Sequence, residues 1–241
     1  MSYGVQIFGC LREFRAGPED FFLKLAHMGY RQIEPCVLFG DASGVPKVFR
    51  ELLWKPEETP GFQNLMERFG LTLSSCHVFC ADPLACAEDM LELAGKTSID
   101  TYVVNCPAST IAAEYPAFAR TCGELARRLE QGGVSLWLHN GGAEIQARTE
   151  LAGETATVLE AVLSLAGERL GAQIDTGWVL WGGLDPAAFL KKLGSRVRSV
   201  HFKDMAEGFE TLGGNDRFAV LGSGVTDLPD VLAQIPADVP V

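Results

Sequence analysis

Short apolar runs of strand length alternate with longer segments of helical periodicity along almost the whole chain, and few folds accept that grammar. The candidate strands are GVQIFG (4–9), RQIEPC (31–36), LTLSSC (71–76), DTYVVN (100–105), VSLWLH (134–139), AQIDTG (172–177) and VRSVHF (197–202). Amphipathic stretches separate them. PEDFFLKLAHMG places Pro18 in a first helical turn and Gly29 at a stop, and both residues suit those ends. PGFQNLMERFG repeats the pattern from Pro60 to Gly70, as does DPAAFLKKLG from Asp185 to Gly194. Uninterrupted β–α alternation implies parallel strands, which need crossover helices.

A doubly wound sheet and a barrel both satisfy that rule. No GxGxxG or P-loop follows the first strand, which removes the usual reason for an open nucleotide-binding sheet. Polar residues gather at the carboxyl ends of the strands, where the loops of a barrel converge. The expected fold is therefore α/β, a (β/α)8 TIM barrel forming a single domain over residues 1–241. The polar segment 37–59 is expected as an extended loop over the barrel mouth. After LPDVLAQIP the sequence reads ADVPV and stops, so the last strand is expected as an incomplete stub unless the sequence is cut short.

Charge narrows the partners. The chain carries a formal net charge of -11 with no Lys/Arg stripe to offset it, which excludes nucleic acid as a partner. The start, MSYGVQIFGCLREF, lacks a basic region followed by an apolar one. No apolar run approaches the roughly 18 residues of a membrane span. These features make the chain a cytoplasmic protein with no membrane partner by expectation. Seven cysteines, an odd number, fit reduced thiols. Cys10, Cys36, Cys76 and Cys106 close the first four strands without matching a zinc template and read as small buried hydrophobes.

Candidate site residues collect at the strand ends. Asp175 in AQIDTGW is placed to point into a barrel mouth, although a helix cap or turn would use the same residue. RVRSVHFKD ends a strand on His201 and follows it with Lys203 and Asp204. An imidazole and a neighbouring carboxylate are natural companions on a metal. His139, Asn140 and Glu144 follow one another through VSLWLHNGGAEI, and His77 also falls at a strand end. Glu34 lies inside YRQIEPC, where a buried glutamate requires a metal, a substrate or a cation beside it.

GYRQIEP, LHNGGAE and the run from IDTGWVLWGGLDPAAFLKKLGSRVRSVHFKDM to LGSGVTDLPDVL carry a resemblance over nearly the whole chain. They resemble the xylose isomerase-like TIM barrels, the sugar phosphate isomerase/epimerase superfamily. The resemblance implies a divalent ion, Mn2+, Mg2+ or Zn2+, held by residues of the fifth to eighth strands. Asp175 and His201 match two of those positions, and His139 falls on the fifth strand. Glu144 and Trp178 match a subgroup with a His-Asn-His…Glu motif, in which Gly141 replaces the second histidine here. The family's glutamate on the eighth strand has no counterpart, and its Gly-Glu-Gly turn reads Gly222-Ser223-Gly224.

The expected activity is isomerisation or epimerisation of a sugar or polyol, phosphorylated or not, or dehydration of a keto-inositol. All proceed by metal-assisted proton transfer through an enediolate. The metal set is His139, Asp175 and His201; Glu144 or Glu34 moves the proton, and Lys203 stabilises the oxyanion. His77, Asn140, Trp178, Trp54 and Phe79 are expected to bind the substrate, and a homo-oligomer is anticipated from related barrels. The alternative is a catalytically degenerate barrel that binds a sugar-like ligand or a partner without turnover. A phosphodiester-cleaving nuclease on the same fold needs more ligands and a basic groove than four histidines and this charge provide.

Overall fold

The computed structural model describes residues 3–41, 43–106, 114–236 and 239–241. The chain folds as two compact units, one of residues 2–104 and 124–136, the other of residue 1, 105–123 and 137–241.

In the first unit, strands Gly4–Gln6, Gln32–Glu34 and Thr72–Leu73 form a parallel sheet. Strands Cys36–Leu38, Cys76–Phe79 and Thr101–Asn105 are parallel neighbours in another. Two expected strands are therefore broken in half. Pro35 interrupts RQIEPC because proline has no N–H for the ladder. LTLSSC stops after Leu73 and pairing resumes at Cys76, so His77 lies within a strand. GVQIFG leaves the sheet after Gln6, and Ile7–Cys10 forms a 3-10 turn that buries Ile7.

The helices follow the expected punctuation. Pro18–His27 starts on its proline and gives way to Gly29 at φ 96°; Thr59–Glu67 is followed by Gly70 at φ 69°. Segment 37–59 is not one extended loop. Its first residues complete a strand, Lys47–Arg50 is helical, and Trp54 pairs with Cys36 and Leu38 through backbone hydrogen bonds of 3.0 Å. Burial drives this return. The Trp54 ring lies 4.7 Å from Phe62 and 5.1 Å from Phe14, inside the unit's aromatic core. Among the cysteines, Cys36 and Cys76 are fully buried, whereas Cys10 and Cys106 are half-buried.

The strand Ser135–His139, which belongs to the second unit from Trp137 onward, lies beside Leu170–Asp175, and Leu170–Asp175 lies beside Val197–His201. Leu170–Asp175 and Val197–His201 run parallel, with Asp175 opposite His201. The strand expected to run to Gly177 ends at Asp175, since the helix Thr176–Trp181 begins there. Pro186–Leu193 is capped by the Asp185 side chain, which accepts the Ala188 N–H at 2.7 Å. Val158–Ala166 opens on a reciprocal capping box between Thr157 and Glu160. An unforeseen antiparallel hairpin joins Arg148–Leu151 to Glu154–Thr157 through Ala152 and Gly153, both at positive φ. The Val200 N–H donates to the Pro240 carbonyl at 3.1 Å, although residues 239–241 form no strand.

Candidate active site

Three adjacent strands of the second unit end on site residues: His139, Asp175 and His201 are the last residues of theirs. The carboxyl end of a strand is where TIM-barrel active sites are built. Asp175 is 1% exposed and divides its carboxylate between two tasks. Oδ1 accepts the Trp178 N–H at 3.1 Å and so caps Thr176–Trp181. Oδ2 lies 2.7 Å from Lys203 Nζ and 3.7 Å from His139 Nε2. Burial alone would raise the carboxyl's pKa, but contact with His139 and the charges of Lys203, His139 and His201 outweigh it and hold it well below the usual range. The rings of His139 and His201 are 5.0 Å apart.

Asn140, expected to touch substrate, is instead fully buried and clamps the backbone of Asp175. Its Oδ1 accepts the Asp175 N–H at 2.8 Å, and its Nδ2 donates to the Asp175 carbonyl at 3.3 Å. The end of one strand thereby fixes the end of the next. Replacing Asn140 with alanine is expected to lower stability by about 1–3 kcal/mol, because a buried N–H loses its acceptor. An unchanged urea midpoint would remove the clamp from the account.

Glu144 is 3% exposed, and its carboxylate folds back to accept the Gly141 N–H. A Cβ at Gly141 would stand 3.3 Å from Glu144 Oε2, so the carboxylate occupies the room beside that missing side chain. Burial pushes its pKa up against the lowering effect of the backbone donors. Lys203 is set by Thr176, whose hydroxyl accepts the Lys203 N–H at 3.0 Å. The Lys203 ammonium lies 4.9 Å from the centre of the half-buried Trp178 ring.

Asp204, beside Lys203, belongs to the scaffold. Its buried carboxylate accepts N–H groups from Met205, Gly222, Gly224 and Thr226 at 2.9–3.0 Å. A Cβ at Gly224 would collide with the Met205 carbonyl and this carboxylate, so the turn demands glycine there.

The first unit has its own buried polar group. Glu34 Oε1 is 3.2 Å from His77 Nε2, and its other oxygen accepts the Ser75 hydroxyl. These are the partners that a buried glutamate requires, and each of its two oxygens meets one of them. Phe79, at the carboxyl end of its strand, stacks on Phe8 with ring centres 5.5 Å apart. Trp54, expected as a wall for substrate, is fully buried in the core described above. Sequence reasoning missed Arg217 and Phe218, which pack on Trp178, because only the return of a long loop brings them there.

A family model described as a xylose isomerase-like TIM barrel matches residues 22–238, a span that takes in residues of both units. The chain belongs to that family. One relative is the rhizopine catabolism protein MocC of Rhizobium meliloti, 29% identical over 133 residues. That alignment covers 51% of this chain and 39% of the relative, so the chain spans well under half the relative's length. Among solved structures, a sugar phosphate isomerase/epimerase from Parabacteroides distasonis superposes with TM-score 0.76 at 15% identity, covering 97% of this chain and 83% of that one. A D-psicose 3-epimerase in the presence of D-fructose gives TM-score 0.68 at 14% identity, covering 100% and 83%. The IOLI protein with a binding zinc atom gives 0.67 at 12%, covering 100% and 87%. At such identities the likeness is one of fold, and it places this chain among TIM barrels.

The donors of the second unit suit a divalent ion. His139 Nε2 and Asp175 Oδ2 face each other, His201 stands beside His139, and imidazole with carboxylate is a common set for Zn2+ or Mn2+. Oδ2 is buried and receives no well-directed hydrogen bond among the described residues. Among the described residues, no helix is long and apolar enough to cross a membrane.

Proposed function

We propose that the chain is a metal-dependent isomerase or epimerase of a sugar or polyol, or a keto-inositol dehydratase of the same chemistry. The observation that carries this reading is the gathering of His139, His201 and Lys203 around the buried carboxylate of Asp175, in a member of the xylose isomerase-like family. His139, Asp175 and His201 would hold the ion. When bound, a divalent ion supplies Lewis-acid polarisation of adjacent sugar oxygens.

The chain's own groups do the rest. Asp175, its pKa held below the usual carboxylate range, is ionised at neutral pH, which keeps its charge available opposite the imidazoles. Glu144, raised in pKa by burial, takes the proton from the carbon beside the substrate carbonyl. Lys203 donates to the oxygen that gains charge as the enediolate forms. Trp178 offers an apolar face to the carbon skeleton of the substrate.

Proton transfer beside a carbonyl leaves a signature in heavy water. Incubation with Mn2+ and a panel of ketoses, ketose phosphates and keto-inositols is expected to place deuterium beside the carbonyl of one of them, and chelation of the ion is expected to stop the exchange. Glu144→Gln is expected to slow exchange by about 10²–10⁴-fold. As a base Glu144 must be ionised, so the wild-type rate should climb as pH rises through its raised pKa, and the variant should lose that limb. No exchange across the panel, together with no bound metal, would instead favour a barrel that binds without turnover.

A further inference from the structure

The loop after His201 brings a second cation to the wall of the site. Asp204–Met205 pairs antiparallel with Phe218–Ala219, and the Ala206 N–H donates to the Arg217 carbonyl at 2.9 Å. This return lays Arg217 and Phe218 against the helix Thr176–Trp181. Phe218 meets Trp178 edge to face, with centres 5.5 Å apart. Lys203 Nζ is 5.0 Å from the Phe218 centre, and the Arg217 guanidinium is 5.9 Å and 5.8 Å from the centres of Trp178 and Trp181. Both cations therefore attend the same indole, whose backbone N–H is bound to Asp175.

Their charges are not equally balanced. Lys203 is paired with Asp175. Arg217 forms no ion pair among the described residues; its guanidinium makes a long 3.4 Å hydrogen bond from Nη2 to the Leu212 carbonyl, and its buried Nε has no partner. A chain with net charge -11 has carboxylates to spare, yet among the described residues none forms an ion pair with this guanidinium. The two indole rings attend the guanidinium at cation–π distance without using its N–H groups, which leaves donors for a planar or tetrahedral anion.

We propose that Arg217, seconded by Lys203, forms an anion subsite, so that the substrate carries a phosphoryl or carboxylate group and is not a neutral sugar. This rests on the sugar-processing reading above and narrows its substrate class. The test is calorimetric binding of D-fructose, D-fructose 6-phosphate and D-glucuronate, with metal content measured separately. The wild type is expected to bind at least one of the two anions about ten- to a hundredfold more tightly than D-fructose. The anion that gains identifies phosphoryl or carboxylate. Arg217→Met, which keeps the apolar stem on the rings, is expected to abolish the preference and leave affinity for D-fructose unchanged; Arg217→Lys is expected to restore part of it. Equal affinity for neutral and anionic ligands, no measurable binding of either anion, or a preference that survives in Arg217→Met overturns the subsite. A protein that holds stoichiometric metal and exchanges deuterium with neutral ketoses alone would refute this subsite while leaving the sugar-processing reading intact.

Discussion

Replacing Asp175 with alanine is expected to strip the protein of bound Mn2+ or Zn2+ and to lower the deuterium-exchange rate by about a thousandfold or more, since a bound metal is worth several kcal/mol of charge stabilisation. The cause is local. Asp175 supplies a carboxylate that faces His139, and its Oδ2 also balances Lys203. The alanine variant loses a helix cap as well, about 1 kcal/mol, because the Trp178 N–H no longer has its acceptor. Asp175→Asn separates the two tasks. An amide oxygen can still cap Trp178, so that variant should keep most of its stability while losing the metal. Plasma emission analysis after dialysis reads the metal, and urea titration reads the fold. Stoichiometric metal in the asparagine variant would sink the assignment.

Asp204→Ala is expected to destabilise the chain by about 2–4 kcal/mol, because it removes the acceptor for N–H groups of Met205, Gly222, Gly224 and Thr226 together. Burial opposes ionisation of this carboxyl, but the backbone donors outweigh it and hold its pKa below the usual value. A depressed carboxyl stabilises the fold at any pH above the unfolded-state value of about 4. That contribution is lost as pH falls through the lower, folded-state value. Urea midpoints measured from pH 7 to pH 3 should therefore fall less steeply in Asp204→Asn than in the wild type. Asp175, also depressed, contributes a loss of the same sign in both proteins, so the difference between the two curves belongs to Asp204.

The strands and helices of this chain were legible where periodicity and punctuation agreed. Pro18 with Gly29, and Asp185 with Gly194, bracket real helices, and His139, Asp175 and His201 do end neighbouring strands. What could not be read was how a polar side chain would be used once folded. Asn140 follows the strand-ending His139, yet it binds backbone; Glu34 had to have a partner, but nothing local named His77 and Ser75. The hairpin at Arg148–Leu151 escaped notice because its strands are mostly polar, which leaves no apolar alternation to see. Trp54 looked like a loop aromatic because its core partners Phe14 and Phe62 are far away in sequence. Arg217 carries no sequence signal, since its place depends on the antiparallel return that pairs Met205 with Phe218.

The turn around Asp204 has a thermodynamic consequence for any ligand. Loops that border binding sites often become ordered only when occupied, and the lost conformational freedom then weakens association. Here the backbone donors of Gly222, Gly224 and Thr226 already have their anion, a carboxylate built into the same chain. The stretch that carries Phe218 towards Trp178 is thus tethered at its far end before anything binds. A substrate meeting that wall gives up its own motion but need not quench the protein's, so more of each contact survives as affinity.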